Sequence, residues 1–80
     1  MLTLYTKDYC PYCTKAKNLL SSIGASFEEI DITETPEIIM ELAKKSKMRT
    51  VPQIFLDDIS LGGYSDIEAL HRAGKLTEIL

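Results

Sequence analysis

Cysteine is scarce in this 80-residue chain, which contains only Cys10 and Cys13. A disulfide between these two residues would close a very small loop and would not connect distant parts of the fold, so the pair is unlike a structural disulfide. The chain has no second cysteine pair to complete a four-ligand zinc site, and we expect no bound metal. In a reducing compartment a close cysteine pair is more often catalytic than structural. Redox chemistry is therefore the leading hypothesis.

The chain also lacks a long apolar segment, a surplus of positive charge and a Pro/Gly/Ser-rich linker. Its start, residues 1–5, is followed almost at once by Lys7-Asp8, which is unlike a signal peptide or a membrane span, so we expect a cytoplasmic protein without a membrane partner. Nine Lys and Arg against twelve Asp and Glu give a formal net charge of -3, which argues against nucleic acid as a partner. The length predicts a single domain over residues 1–80.

Hydrophobic periodicity predicts the element order β-α-β-α-β-β-α. In chain order we expect strand 2–6, helix 11–23, strand 26–32, helix 35–45, strands 54–56 and 59–61, a helix between Ser65 and Gly74, and a last helical turn near residues 76–80. The short strand–helix–strand unit at the start implies that the first two strands pair in parallel.

Capping residues predict where the second and third helices begin. Thr35 is typical of an N-cap, and Pro36 would then occupy the first helical position. Ser65 and Glu68 have the spacing of a capping box. Asp57-Asp58 is the predicted hairpin turn, although neither residue is glycine.

The segment Cys10-Pro11-Tyr12-Cys13 lies where the first strand gives way to the first helix. The unpaired N–H groups of a helix start would favour a thiolate at Cys10, and Lys7 adds a nearby cation. Cys13, inside the first helical turn, would be more covered, so we predict that Cys10 attacks and Cys13 resolves. Pro11 fixes φ at the first helical position. The alternatives for such a pair are half of a metal site or two incidental core thiols.

Three separated segments resemble the dithiol glutaredoxins of the thioredoxin superfamily. They are Cys10-Pro11-Tyr12-Cys13, Thr50-Val51-Pro52 and Leu61-Gly62-Gly63-Tyr64-Ser65-Asp66. The resemblance implies a thioredoxin-like α/β fold, with a four-stranded mixed sheet flanked by three or more helices, and a cis proline at Pro52. From the residues alone, a trans proline that opens the edge of the third strand would fit equally well.

The same resemblance implies a glutathione-dependent thiol–disulfide oxidoreductase that reduces protein–glutathione mixed disulfides and protein disulfides. Glutathione would be the reducing co-substrate, with no tightly bound cofactor. Partners would be glutathionylated or disulfide-bearing proteins, ribonucleotide reductase among the candidates, and the protein would be a monomer.

The resemblance also implies a set of glutathione-binding residues. Val51 before a cis proline would pair its backbone with the cysteinyl part of glutathione. Asp66 and the amides that follow Ser65 would receive the γ-glutamyl end, and Lys7 and Arg49 are candidate cations for the glycyl carboxylate. The whole predicted set is Lys7, Tyr12, Arg49, Thr50, Val51, Pro52, Gly63, Tyr64, Ser65 and Asp66, with Pro11, Pro52 and Gly62 in structural roles at the site.

Three other functions compete with this hypothesis. A thioredoxin would carry Trp-Cys-Gly-Pro-Cys, and this chain has no tryptophan. A small redoxin reduced by a thioredoxin-reductase-type flavoenzyme typically has a different loop where Gly62-Gly63 lies here. A glutathione-ligated iron–sulfur carrier usually has a single active-site cysteine followed by Gly-Phe-Ser, from which Pro11 and Tyr12 depart.

Overall fold

The computed structural model describes residues 1–80 and contains one four-stranded mixed sheet flanked by four helices. The elements are β1 (Leu2–Thr6), α1 (Pro11–Ser22), β2 (Phe27–Asp31), α2 (Ile38–Ser46), β3 (Gln53–Leu56), β4 (Ile59–Gly62), α3 (Tyr64–Arg72) and α4 (Leu76–Ile79). The predicted fold class and element order are confirmed, and α4 is the predicted last helical turn. None of the helices combines the length and the apolar character needed to cross a membrane.

The sheet has the strand order β2-β1-β3-β4. β1 and β2 run parallel, as predicted, with Leu2 opposite Phe27 and Thr6 opposite Asp31. β1 and β3 are antiparallel, and β3 and β4 form the predicted hairpin. The turn at Asp57 uses a left-handed backbone with φ 54°, a conformation that aspartate tolerates better than most residues.

The main core lies between one face of the sheet and helices α1, α3 and α4. Its buried members are Leu2, Leu4, Ala16, Leu20, Ile54, Ile67 and Leu76. Each large aliphatic side chain buried there stabilises the fold by roughly 1.5–3 kcal/mol. On the opposite face, Tyr5 and Phe55 stack edge to face at 5.7 Å and line one cavity with Leu42 of α2. The sheet is thus covered on both sides, and the end of β1 meets the start of α1 at one edge of the molecule.

The predicted start of α2 at Thr35 and Pro36 is wrong by two residues, since the helix begins at Ile38. The Ile38 and Ile39 amides donate to the Thr35 and Pro36 carbonyls, three residues back, at 3.1 Å each. These bonds wind the segment more tightly than an α-helix. No side chain caps the helix, whose N-cap residue is Glu37.

The predicted capping box of Ser65 and Glu68 is also wrong, because α3 begins two residues earlier, with Gly63 as its N-cap. Asp66 Oδ2 accepts the Gly63 N–H at 2.9 Å, which is half of a capping box. Glu68 instead accepts a hydrogen bond from the Tyr64 hydroxyl at 2.9 Å. The helix starts early because Asp66 supplies the acceptor three residues after Gly63.

Candidate active site

Cys10 is the N-cap residue of α1. Its backbone is extended, with φ -115° and ψ 99°, and its Sγ accepts the Cys13 N–H at 3.2 Å. The Cα atoms of the two cysteines are 5.2 Å apart, and their sulfurs form a disulfide. Pro11 occupies the first turn, which contains no acidic residue. An amide that points at the sulfur, with the helix dipole behind it, stabilises negative charge on Cys10.

The two sulfurs differ in accessibility. Cys13 is 2% exposed and lies on the buried face of α1 with Ala16 and Leu20. Cys10 is half-buried. A substrate therefore reaches Cys10 first, and Cys13 lies behind it, which is the geometry required by the predicted division between attacking and resolving sulfur.

A groove of about 380 Å³ lies beside the cysteines, and we call it the aromatic groove. Its lining residues are Tyr12, Met48, Thr50, Val51, Pro52, Gly63, Tyr64, Ser65 and Asp66. Three segments that are far apart in the sequence thus meet here: the start of α1, the loop before β3 and the start of α3. Cys10 Sγ lies 3.8 Å from the Val51 carbonyl oxygen, so the sulfur adjoins the groove. The Val51–Pro52 peptide bond is cis, as the resemblance implied.

A second groove of about 360 Å³ contains both predicted cations, Lys7 and Arg49, and we call it the basic groove. It shares Thr50 and Val51 with the aromatic groove. The two grooves therefore adjoin at Thr50 and Val51, with the cations in one groove and the start of α3 in the other.

The α3 end of the aromatic groove depends on Gly62 and Asp66. Gly62 has φ 91°, and a Cβ there would lie 2.6 Å from Asp66 Cγ, so only glycine fits. Asp66 is exposed and keeps one carboxylate oxygen free while the other caps Gly63. Tyr64, Ser65 and Asp66, whose amides begin α3, line this end of the groove, and amides of a first helical turn have no partner inside their helix. An ammonium group and a carboxylate could thus both be held there.

Two tyrosines form the wall of the aromatic groove. The rings of Tyr12 and Tyr64 are 6.0 Å apart, and Lys15 Nζ lies 5.1 Å from the Tyr12 ring centre. The hydrogen bond from the Tyr64 hydroxyl to Glu68 raises the pKa of Tyr64. Tyr64 is therefore uncharged at neutral pH, and the two rings can pack against the apolar parts of a peptide ligand.

A third groove, of about 500 Å³, contains both cysteines and lies on the side of α1 that faces β2; we call it the polar groove. There Glu29 Oε2 accepts a hydrogen bond from the Thr6 hydroxyl at 2.8 Å and pairs with Lys17 Nζ at 3.3 Å. Asp31 at the rim accepts hydrogen bonds from the hydroxyl and amide of Thr33, which, with Lys17, hold the pKa of Asp31 below its usual value.

The predicted site residues lie in the aromatic and basic grooves or at the start of α1, except Gly62, which ends β4 next to the N-cap of α3. Sequence reasoning missed two residues. Met48 lines the aromatic groove, and its Cε would lie 3.3 Å from a Cβ on Gly63. Gln53, buried under the loop, donates hydrogen bonds to two of its carbonyls. The sequence contains one signal that could have identified them, since both residues lie within two positions of Thr50-Val51-Pro52.

Comparisons with family models, with relatives and with solved structures all identify the same family. A family model described as Glutaredoxin matches residues 2–60. A glutaredoxin of Pseudomonas aeruginosa is 46% identical over 79 residues, which is 99% of this chain and 94% of that protein. Glutaredoxin 3 of Escherichia coli K12 is 47% identical over 77 residues, or 96% of this chain and 93% of that protein. The crystal structure of a buckwheat glutaredoxin–glutathione complex superposes with a TM-score of 0.92 at 32% identity, covering 99% of this chain and 74% of that one.

Proposed function

Because this chain belongs to the glutaredoxin family and is a thiol–disulfide oxidoreductase, we propose that it uses glutathione to reduce protein–glutathione mixed disulfides and protein disulfides. The observation that carries this proposal is the pair of grooves that meet at Val51, 3.8 Å from Cys10 Sγ. One end offers cations, and the other offers Asp66 and helix amides. Glutathione has a carboxylate at one end and an α-amino acid at the other, with a thiol between them.

In the first step, the Cys10 thiolate attacks the glutathione sulfur of a mixed disulfide. The new Cys10–glutathione bond forms as the bond to the protein sulfur breaks, and the protein leaves as a thiolate that takes a proton from water. A second glutathione thiolate then attacks the bound glutathione sulfur, which releases oxidised glutathione and restores the Cys10 thiolate. The N-cap position of Cys10 favours both steps, since the sulfur starts and ends as an anion.

Each part of glutathione has a proposed place along the two grooves. The glycyl carboxylate lies near Lys7 and Arg49, and the cysteinyl backbone pairs with Val51. The γ-glutamyl end lies at the start of α3, where Ser65 and Asp66 meet its carboxylate and amino group. Tyr12 and Tyr64 pack against the middle of the glutathione molecule, and Thr50, Pro52 and Gly63 line the groove around it.

Protein disulfides require Cys13. The Cys10 thiolate attacks one sulfur of the substrate disulfide, which breaks the substrate S–S bond and releases the other substrate sulfur as a thiolate. Cys13 then attacks Cys10 Sγ, which releases the bound substrate sulfur as the second thiolate and leaves the Cys10–Cys13 disulfide. That disulfide is the state the structure contains. Two glutathione molecules return it to the dithiol. We propose that this cycle operates on cytoplasmic proteins, with ribonucleotide reductase among the candidates.

The deciding experiment is turnover of hydroxyethyl disulfide, of a glutathionylated peptide and of a protein disulfide, with glutathione as the reductant, in wild-type protein and in the Cys13→Ser variant. We expect glutathione to support turnover of both substrates, and Cys13→Ser to keep deglutathionylation while losing reduction of a protein disulfide. Turnover with a thioredoxin-reductase-type flavoenzyme but not with glutathione would contradict the proposal. Loss of all deglutathionylation in Cys13→Ser would contradict the division of labour between the two sulfurs.

A further inference from the structure

Gln53, the first residue of β3, is fully buried. Its Nε2 donates hydrogen bonds to the carbonyl oxygens of Met48 and Thr50, both at 2.9 Å. Its Oε1 is the one buried side-chain polar atom without a hydrogen-bond partner in the chain. A buried, unpartnered carbonyl destabilises the folded state, so stability alone does not account for a glutamine at this place.

The bond to Thr50 determines the direction of a neighbouring amide. The Thr50 carbonyl and the Val51 N–H belong to one planar peptide unit, and in a trans peptide these two groups point in opposite directions. The only cis bond in the chain is the next one, Val51–Pro52. Because Gln53 holds the Thr50 carbonyl towards the protein interior, the Val51 N–H must point away from the interior. The bond to the Met48 carbonyl directs the Arg49 N–H in the same way.

Neither of these two amides is used inside the protein. No backbone or side-chain group of the chain accepts a hydrogen bond from the Val51 or Arg49 N–H. Val51 lines both the aromatic and the basic groove, and Arg49 lines the basic groove. The loop therefore presents unsatisfied donors where a peptide ligand would lie, and Gln53 is the side chain that keeps them there.

We infer that Gln53 is a positioning residue for glutathione: by holding the Met48 and Thr50 carbonyls from the buried side, it presents the Val51 and Arg49 amides to the peptide backbone and carboxylate of the ligand. This inference rests on the proposed function and adds to it the device that pre-orients the binding loop. Gln53 does not contact the reacting sulfurs. Its contribution is to substrate affinity, since a loop already in the binding conformation does not have to be ordered by the ligand.

The test is the Gln53→Met variant, which keeps the size of the side chain and removes both donor bonds. Steady-state turnover of a peptide–glutathione mixed disulfide should show KM raised about tenfold, the equivalent of about 1.4 kcal/mol, with kcat changed less than about twofold. The pKa of Cys10, measured from the pH dependence of its alkylation by iodoacetamide, should not move, because the N-cap of α1 is untouched.

The matched control is Ser46→Ala. The Ser46 hydroxyl also bonds this loop, since its Oγ accepts the Met48 N–H at 3.1 Å and donates to the Met48 carbonyl at 3.3 Å. It does not touch the Thr50–Val51 peptide. Ser46 shares only the Met48 carbonyl with Gln53 and has no bond to Thr50. A general loosening of the loop would raise KM equally in both variants, whereas orientation of the Val51 amide through Thr50 predicts a clearly larger rise in Gln53→Met. Equal rises in both variants would overturn the inference.

An unchanged KM in folded Gln53→Met, with wild-type protein active on glutathione, would overturn the positioning role and leave the proposed function standing. Wild-type protein inactive with glutathione would overturn both. If Gln53→Met does not fold, NMR of the reduced wild-type protein with S-methylglutathione decides. A downfield shift of the Val51 amide proton, with Gln53 side-chain protons protected from exchange, supports the inference. An unshifted Val51 amide or a freely exchanging Gln53 amide overturns it.

Discussion

The two chain segments that meet at Cys10 are held in different ways. Residues 10–13 are held by regular secondary structure: the end of β1 leads into α1, and the helix itself directs the Cys13 N–H at Cys10 Sγ. Residues 47–52 belong to no helix or strand, and a side chain of the next strand, Gln53, holds their carbonyls. We therefore expect reactivity to depend on local structure in the first segment and ligand binding to depend on tertiary contacts of the second. Substitutions on the two sides should therefore change different kinetic constants.

The largest expected effect is on the reactive side. Cys10→Ser removes the nucleophile and should lower kcat/KM by more than about a thousandfold for every disulfide substrate. Serine keeps the N-cap, so the thermal unfolding midpoint under reducing conditions should change little. Stopped-flow turnover and calorimetry measure the two quantities. Residual activity above a few per cent of wild type would show that Cys13 can attack by itself, and would contradict the assignment of reactivity to Cys10.

The next effect lies at the binding side, at the start of α3. Asp66→Asn removes the charge that would meet the α-amino group of glutathione and keeps an oxygen for the Gly63 N–H. KM should rise about fivefold to tenfold with unchanged stability. Asp66→Ala should raise KM equally and also lower the free energy of unfolding by about 1 kcal/mol, because the cap is lost. A fall in kcat with unchanged KM would contradict the assignment of this end to binding.

A smaller effect is expected at the other end of the grooves. Arg49→Ala should raise KM for glutathione about twofold to threefold at low salt, and less at high salt, because an exposed charge is screened. Lys44→Ala is the matched control, since Lys44 lies on α2, is exposed and pairs with Glu41 at 3.3 Å. Equal effects of the two substitutions would mean that overall charge, and not the basic groove, sets the affinity.

The smallest effect concerns the loop before Cys10. Thr33 bonds Asp31 and accepts the Asp8 amide at 2.9 Å, so Asp31 supports this loop from β2. The hydrogen bonds from Thr33 lower the pKa of Asp31 in the folded protein, so its carboxylate stabilises the fold at pH values above its unfolded pKa, and this contribution disappears as the pH falls through the folded pKa. Asp31→Asn should reduce the loss of stability between pH 4 and pH 2, measured by urea unfolding, and leave KM and kcat unchanged at pH 7. A raised KM would link the polar groove to binding.

The helix starts mark the limits of local reasoning. The boundaries of β1 and the start of α1 follow from alternation and from the Cys10-Pro11 signal, and the structure has them as predicted. The starts of α2 and α3 were each wrong by two residues. At both places several residues can cap or turn the chain, and their ranking depends on how the neighbouring segment packs. The third helix begins before Ser65 because Asp66 of α3 accepts the Gly63 N–H and lies against Gly62, the last residue of β4.

The sequence by itself determined the order of the secondary-structure elements and predicts which sulfur reacts, because both follow from signals within a few residues: the hydrophobic period, the helix start and the spacing of Cys10 and Cys13. Only the tertiary structure decided what surrounds that sulfur. Tyr12 comes from α1, Val51 from the loop before β3 and Asp66 from α3, and their meeting in one groove depends on the order of strands in the sheet. The role of Gln53 also depends on tertiary structure, since a hydrogen bond from a buried side-chain amide to a loop carbonyl produces no recognisable pattern in the sequence.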